Sequence, residues 1–235
     1  MKKLFFPLFV SLIFINTSCI RHRIEGNHHV VTEERSSSSF SELTCENDFE
    51  VYYSYSPNFI VSVEAEENLI PFIETGVHGH DMVVKTREHI RFENHFPIKV
   101  FVQAPYINDV ILSGSGHIYI DSVNVNDIHI LLSGSGNIDA KINSNSLNTK
   151  ISGSGNVNLY GRTRQTDLKI SGSGELYAYS LQQDTSYVEI SGSGSMKLWV
   201  TDYLDVRISG SGEVYYQGNP VVTSHITGSG KVIHQ

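Results

Sequence analysis

The run Leu168-Lys169-Ile170-Ser171-Gly172-Ser173-Gly174-Glu175-Leu176-Tyr177-Ala178 alternates strictly, and the alternation passes through both glycines without losing register. Leu168, Ile170, Gly172, Gly174, Leu176 and Ala178 share one face, while Lys169, Ser171, Ser173, Glu175 and Tyr177 share the other. A period of two is a strand signal that helical spacing does not fit. The same register holds from Ile128 to Ala140 and from Leu204 to Tyr216, so each such window reads as two short strands joined at a glycine corner.

The Ser-Gly-Ser-Gly at the centre of that run recurs. Copies begin at Ser113, Ser133, Ser152, Ser171, Ser191 and Ser209, and Thr227 opens a seventh that reads Thr-Gly-Ser-Gly, at spacings of 18 to 20 residues. A short fixed period marks a solenoid, in which one coil cannot bury its own apolar face and must stack on its neighbours. A coil that returns to the same corner needs parallel neighbours, so the expected fold is all-β: a single-stranded parallel β-helix over residues 110–235. Seven rungs at strand spacing make a rod roughly 34 Å long.

The expected structural corners are Gly114 and Gly116, Gly134 and Gly136, Gly153 and Gly155, Gly172 and Gly174, Gly192 and Gly194, Gly210 and Gly212, and Gly228 and Gly230. All of them are read as facing the interior, where a sharp bend leaves no room for a side chain. The first and third motif residues are read as facing solvent. No helix start follows any copy, which argues against a phosphate cradle.

Outside the repeats the chain divides into three parts. Residues 1–19 look like an export signal: Lys2 and Lys3, an apolar run from Leu4 to Ile15, then Asn16-Thr17-Ser18-Cys19. Twelve apolar residues are too few to span a bilayer, so the run reads as a cleaved signal. The residues before Cys19 are similar to a lipobox, which implies lipid attachment at Cys19 and a membrane as partner. Plain secretion with a Cys19–Cys45 disulfide is the competing account. Residues 20–39 are polar, lack periodicity and end in four serines, the composition of a linker; His28 and His29 within it read as solvated. Residues 40–109 carry strand patterns around 49–53, 59–63, 82–85 and 98–102, with a short helix or turn at 66–73. This segment is expected to pack on the first rungs, because outward aliphatics occur only there, at Ile111 and Leu131.

Lys99-Val100-Phe101-Val102-Gln103-Ala104-Pro105, followed by Val110-Ile111-Leu112-Ser113-Gly114-Ser115-Gly116, resembles the head GIN domain of the auto-transporter adhesin family. Phe40, Asp48-Phe49-Glu50-Val51 and Val61-Ser62-Val63-Glu64 resemble its opening strands, and the likeness runs from Phe40 to Gln235. The resemblance implies a right-handed β-helix on exported, often lipid-anchored envelope proteins of Bacteroidetes-like bacteria, either periplasm-facing or surface-exposed. It implies no catalytic residues.

The chemistry agrees with a scaffold. A net charge of −8 argues against nucleic acid. Asp139, Glu175, Glu189, Asp205 and Glu213 form no calcium cluster of the polysaccharide-lyase kind. His78-Gly79-His80-Asp81 offers too few ligands for a metal, and Cys45 lies among acids that disfavour a thiolate. No cofactor, metal or catalytic residue is therefore expected. Outward aromatics after the motifs do stand out: Tyr160, Tyr177, Tyr179, Trp199 and Tyr215. They are expected to form one exposed lateral platform for a glycan or a protein, with packing beneath a loop as the alternative. The expected function is a non-enzymatic binding or adhesion module. A structural envelope protein that associates weakly with itself through its solenoid ends is the alternative, and a polysaccharide-active enzyme ranks last.

Overall fold

The computed structural model describes residues 22–235; the segment read as an export signal and the lipobox-like Cys19 lie outside the described residues. Ten strands make the repeats: β10 (Asp109–Gly114), β11 (His117–Asn124), β12 (Asp127–Gly134), β13 (Asn137–Gly153), β14 (Asn156–Gly172), β15 (Glu175–Gly192), β16 (Ser195–Gly210), β17 (Glu213–Gln217), β18 (Val221–Gly228) and β19 (Lys231–His234). Every pairing among them is parallel, and the motifs fall in register, Ser133 opposite Ser152, Ser171 opposite Ser191, Gly172 opposite Gly192. The result is a β-solenoid of stacked two-faced coils. One broad face is formed by the strand segments before each motif and the other by those after it.

The core is a stack of like residues. Leu112, Leu132, Ile151, Ile170, Ile190 and Ile208 line it before the corner, and Ile118, Ile138, Val157, Leu176, Met196 and Val214 line it after, all buried. Each contributes on the order of 1.5–3 kcal/mol relative to exposure.

The two glycines of a motif serve different needs. Gly172 has φ +124°, and a Cβ there would stand 2.4 Å from the Gly153 carbonyl oxygen; it is only half-buried. Gly174 is buried, and a Cβ would press on Ile151 at 2.7 Å. The expectation that every motif glycine faces the interior thus holds for the second glycine of the first six corners, whereas the first sits in the corner wall and is required by its dihedral. Backbone groups close the corner, as where Ser135 and Gly136 both donate to the Gly114 carbonyl at 3.0 Å.

The opposite corner has no motif. Register shifts occur there, and buried hydroxyls bond across rungs: Ser144 to Thr163 at 3.1 Å, and Thr166 to both Gln183 and Ser186 at 2.8 Å. Because this corner tolerates an inserted residue, the repeat length can vary.

Nine strands precede the repeats: β1 (His22–Glu25), β2 (Val30–Arg35), β3 (Glu42–Asn47), β4 (Glu50–Tyr55), β5 (Ile60–Glu66), β6 (Ile73–His78), β7 (Asp81–Thr86), β8 (Ile90–Glu93) and β9 (Lys99–Ala104), with a single 3-10 turn at Ile70–Phe72. β3 and β4 stack directly on β10 and β11 in parallel register, and Asn47 stands opposite Gly114 with φ +74°. Asparagine tolerates the left-handed region better than other residues with side chains, so it replaces the corner glycine. β7 and β9 extend the two faces in parallel, then β6 and β5 close them antiparallel, with β2 outermost against β5. The N-terminal segment joins the first rungs as expected, but edge to edge. It does not lie over Ile111 and Leu131, which remain half-buried beside Thr44 in one ladder.

The reading of 20–39 as a linker needs correction. β1 pairs with β8 in a separate two-stranded sheet, and β2 pairs with β5 through all six of its residues. Arg35 holds the place by donating to the Ile70 and Ile73 carbonyls at 3.1 and 2.6 Å. An edge strand with a wet face shows little apolar alternation, so its composition resembles a tether.

Candidate functional site

The face after the motif carries three outward ladders, whose side chains repeat at strand spacing because the parallel register is in phase. The middle ladder runs Phe101, Tyr52, Tyr119, Asp139, Asn158, Tyr177, Lys197, Tyr215. Tyr52 stacks on Tyr119 at 4.7 Å and on Phe101 at 5.3 Å, and His117 stacks on Tyr119 at 3.8 Å. Further along, the Lys197 ammonium lies 4.4 Å from the Tyr177 ring centre, a cation–π contact.

Between these aromatic stretches lies a polar gap. Asn158 donates to Asp139 at 2.8 Å, Asn156 donates to Asn137 at 3.0 Å, and His117 bonds Asp139. The gap therefore presents ordered amide and carboxylate groups.

A second regularity runs along each strand. Tyr52 donates to Glu50 at 2.9 Å, Tyr215 to Glu213 at 2.5 Å, and Tyr177 to Glu175. The Glu175 and Glu213 hydrogen bonds raise the Tyr177 and Tyr215 pKa values; for Tyr52, desolvation and then Glu50 push it up to about 12. The phenols stay protonated, and the carboxylates hold their rings in fixed orientation.

All five of the aromatics singled out from sequence lie on this face, though not equally exposed. Tyr160 and Trp199 are 44% and 38% exposed, whereas Tyr177, Tyr179 and Tyr215 are half-buried. Tyr179 falls at a register shift and its hydroxyl donates to Gln235 at 2.9 Å. Sequence reasoning missed Phe101, Tyr52 and Tyr119. The signal for one of them was present, since Tyr119 stands three residues after Gly116 as Tyr177 does after Gly174. Beside them opens a groove of about 770 Å³, lined by Tyr52, Tyr119, Asp121, Lys141 and Tyr160 among others. Tyr187 belongs to the opposite face, edge-on to Tyr203 at 6.2 Å.

Elsewhere the chemistry is quiet or differently placed. Cys45 is fully buried and burial pushes its thiol up to about 12, which suits packing. His78-Gly79-His80-Asp81 forms the β6–β7 hairpin turn. His28 is exposed, as expected, and also lies against Glu66 and His95, its own amide donating to the Glu66 carboxylate at 2.7 Å. Burial alone would raise the Glu66 pKa, but the His95 and His28 amides and the His95 ring more than offset it, so the carboxyl titrates below its usual range.

The profile of the family described as "Putative auto-transporter adhesin, head GIN domain" matches residues 39–220, and the chain belongs to that family. No curated relative matches. Among solved structures, a putative adhesin from Bacteroides fragilis is similar at TM-score 0.86 and 20% identity, over 90% of this chain and 100% of that one. A putative lipid binding protein from Parabacteroides distasonis gives 0.78 and 25%, over 91% and 100%. A putative adhesin from Parabacteroides merdae gives 0.71 and 20%, over 91% and 99%.

Proposed function

We propose that this protein is an exported, non-enzymatic adhesion module that binds a glycan through the face following the motifs, with a protein surface as the other ligand the same face suits. The single observation that carries this reading is the middle ladder: aromatic stretches flank a strip of amides and carboxylates at fixed rung spacing. Sugar rings stack on aromatic faces and take hydrogen bonds from such groups. Family membership and the adhesin names of similar structures support binding over turnover. The lipobox-like Cys19 supports anchorage in the cell envelope, at the outer membrane.

On an array of cell-surface and matrix glycans, wild-type protein should show discrete binding that Trp199→Ala or Tyr177→Ala weakens about 10-fold or more without loss of folding. Equal binding by all three proteins would remove the face from the account. Metabolic labelling with a fatty acid should mark wild-type protein and not Cys19→Ala, and label retained in that variant would end the anchor reading.

A second reading has one observation behind it. The inward positions Val222 and Ile226 of β18 are 37% and 39% exposed, because among the described residues β18 pairs on one side only, with β16. An open parallel edge with apolar residues is a template for strand addition, which would support weak self-association.

A further inference from the structure

Three separate segments meet at Glu66, the last residue of β5: the β1–β2 loop bearing His28, the β8–β9 loop bearing His95, and β5 itself. The Glu66 side chain has no exposed surface, and the only ion-pair partner within 4.0 Å among the described residues is the His95 ring. Its oxygens accept the His28 amide at 2.7 Å, the His95 amide at 2.8 Å and face His95 Nδ1 at 3.1 Å. The His28 and His95 rings cover it from outside, with centres 3.7 Å apart. One donor atom from each of the three residues lies within 4.8 Å of the other two.

We propose that His28, Glu66 and His95 bind a divalent first-row transition metal ion, with Zn²⁺ the best fit. Two imidazoles and one carboxylate are a borderline-soft set that selects such ions over Ca²⁺ or Mg²⁺. The 3.1 Å between His95 Nδ1 and Glu66 Oε1 is already close to the separation of roughly 3.4 Å between two ligands of a tetrahedral site at ~2.1 Å from the metal. The ion replaces the proton shared there, and an exposed His28 ring needs only a side-chain rotation to complete the third bond. Glu25 stands 4.0 Å from His95 Nε2, the ring nitrogen left free of the ion, where a carboxylate orients a ligating imidazole.

The backbone is built for this arrangement independently of the ring positions. His28 is held at φ +59°, a conformation costly for a residue with a side chain, and such strain collects at sites where it is used. Gly26 presses so closely that a Cβ would lie 2.1 Å from the Glu66 carboxylate. Asn68 fixes the same loop from both sides, accepting from the Asn27 amide at 2.9 Å and donating to the Glu25 carbonyl at 2.7 Å. An ion here clasps the small β1–β8 sheet to the end of the solenoid and gives the buried carboxylate a cation.

Purified metal-free protein is titrated with Co²⁺, read by visible absorption, and with Zn²⁺, read by calorimetry and by the thermal midpoint. Wild-type protein should take one ion per chain, and His28→Ala and His95→Ala should each weaken it at least about 30-fold and abolish the metal-induced rise in midpoint. His78→Ala/His80→Ala, at a hairpin outside the cluster, should behave as wild type. His28→Ala is the decisive variant, because that ring is exposed and its loss should leave the fold intact, whereas Glu66→Gln risks the fold. Failure of wild-type protein to bind one equivalent overturns the site. So does undiminished binding in a His28→Ala/His95→Ala double variant, which would assign the ion to scattered surface histidines.

Discussion

The two broad faces of the solenoid share one backbone, one rung spacing and one set of corners, and they differ only in what their outward ladders carry. Before the motif, Lys150, Lys169, Glu189 and Arg207 follow one another in one ladder, with Asp167, Tyr187 and Asp205 in the next. Two of those basic residues are matched within their own strands, Lys169 to Asp167 at 3.3 Å and Arg207 to Asp205 at 3.5 Å. After the motif, carboxylates are spent on holding tyrosine hydroxyls, and the rings stack along the rod. The first face is a solvated wall of mixed charge; the second presents stacked aromatic side chains and ordered amides for something else to meet. The corner builds both alike, so recognition is decided by outward positions that the fold does not constrain.

The largest effect should come from the corner that both faces share. Gly172→Val puts a branched side chain at φ +124° with its Cβ 2.4 Å from the Gly153 carbonyl oxygen, and neither backbone can give way without shifting a rung. Strain and overpacking together should cost about 3 kcal/mol or more, seen as a large fall in thermal midpoint with simultaneous loss of structure on both faces. Gly79→Ala, at φ +68° in an open hairpin turn, should cost only about 1 kcal/mol. Equal losses in the two variants would mean that rung contact is not what the corner glycine serves.

How much of this was legible in the sequence follows from the same asymmetry. A glycine demanded at every coil leaves a periodic signal, and the alternation around it fixes which residues face in. The additional corner at Asn47 left none, since asparagine stands for the first glycine and the buried Phe49 occupies the place that Gly116 takes one rung on. β1 and β2 were hidden because an edge with a wet face needs few apolar residues. Tyr160, Tyr177, Tyr179, Trp199 and Tyr215 could be assigned to one face from their offset to the motif. Phe101 and Tyr52 could not, because their register depends on how the non-repetitive strands dock. The cluster at Glu66 joins residues 38 and 29 positions away, which no local pattern reveals.

An intermediate effect concerns what lies beneath the aromatic face. Tyr53 points inward there, 2% exposed, with its hydroxyl donating to the Ala104 carbonyl at 3.0 Å, and burial pushes its pKa from 10.0 to about 12. The folded state holds this proton more tightly than the unfolded chain. Its contribution is therefore complete below pH 10 and is lost as pH rises through about 12, amounting to about 2–3 kcal/mol. Urea unfolding followed from pH 9 to pH 12 should show stability falling across that window, and Tyr53→Phe should flatten the fall. An unchanged slope in Tyr53→Phe would assign the alkaline loss to other groups.

The smallest effect should be on the charged face, and its smallness tests the contrast. The Lys169 and Arg207 side chains are 44% and 73% exposed, and pairs of that kind contribute about 0–1 kcal/mol because water and salt screen them. Lys169→Ala or Arg207→Ala should change stability by no more than about 0.5 kcal/mol, and by less at high salt. The pocket of about 200 Å³ that they border with Asp167, Tyr187, Glu189 and Asp205 is lined mainly by these mutually paired groups, so neither substitution should alter ligand binding. Chemical denaturation at low and high salt, run beside the glycan array, reads both quantities. A loss of binding in Arg207→Ala equal to that in Trp199→Ala would show that the wall also recognises the ligand, and the division between the two faces would have to be redrawn around the whole rod.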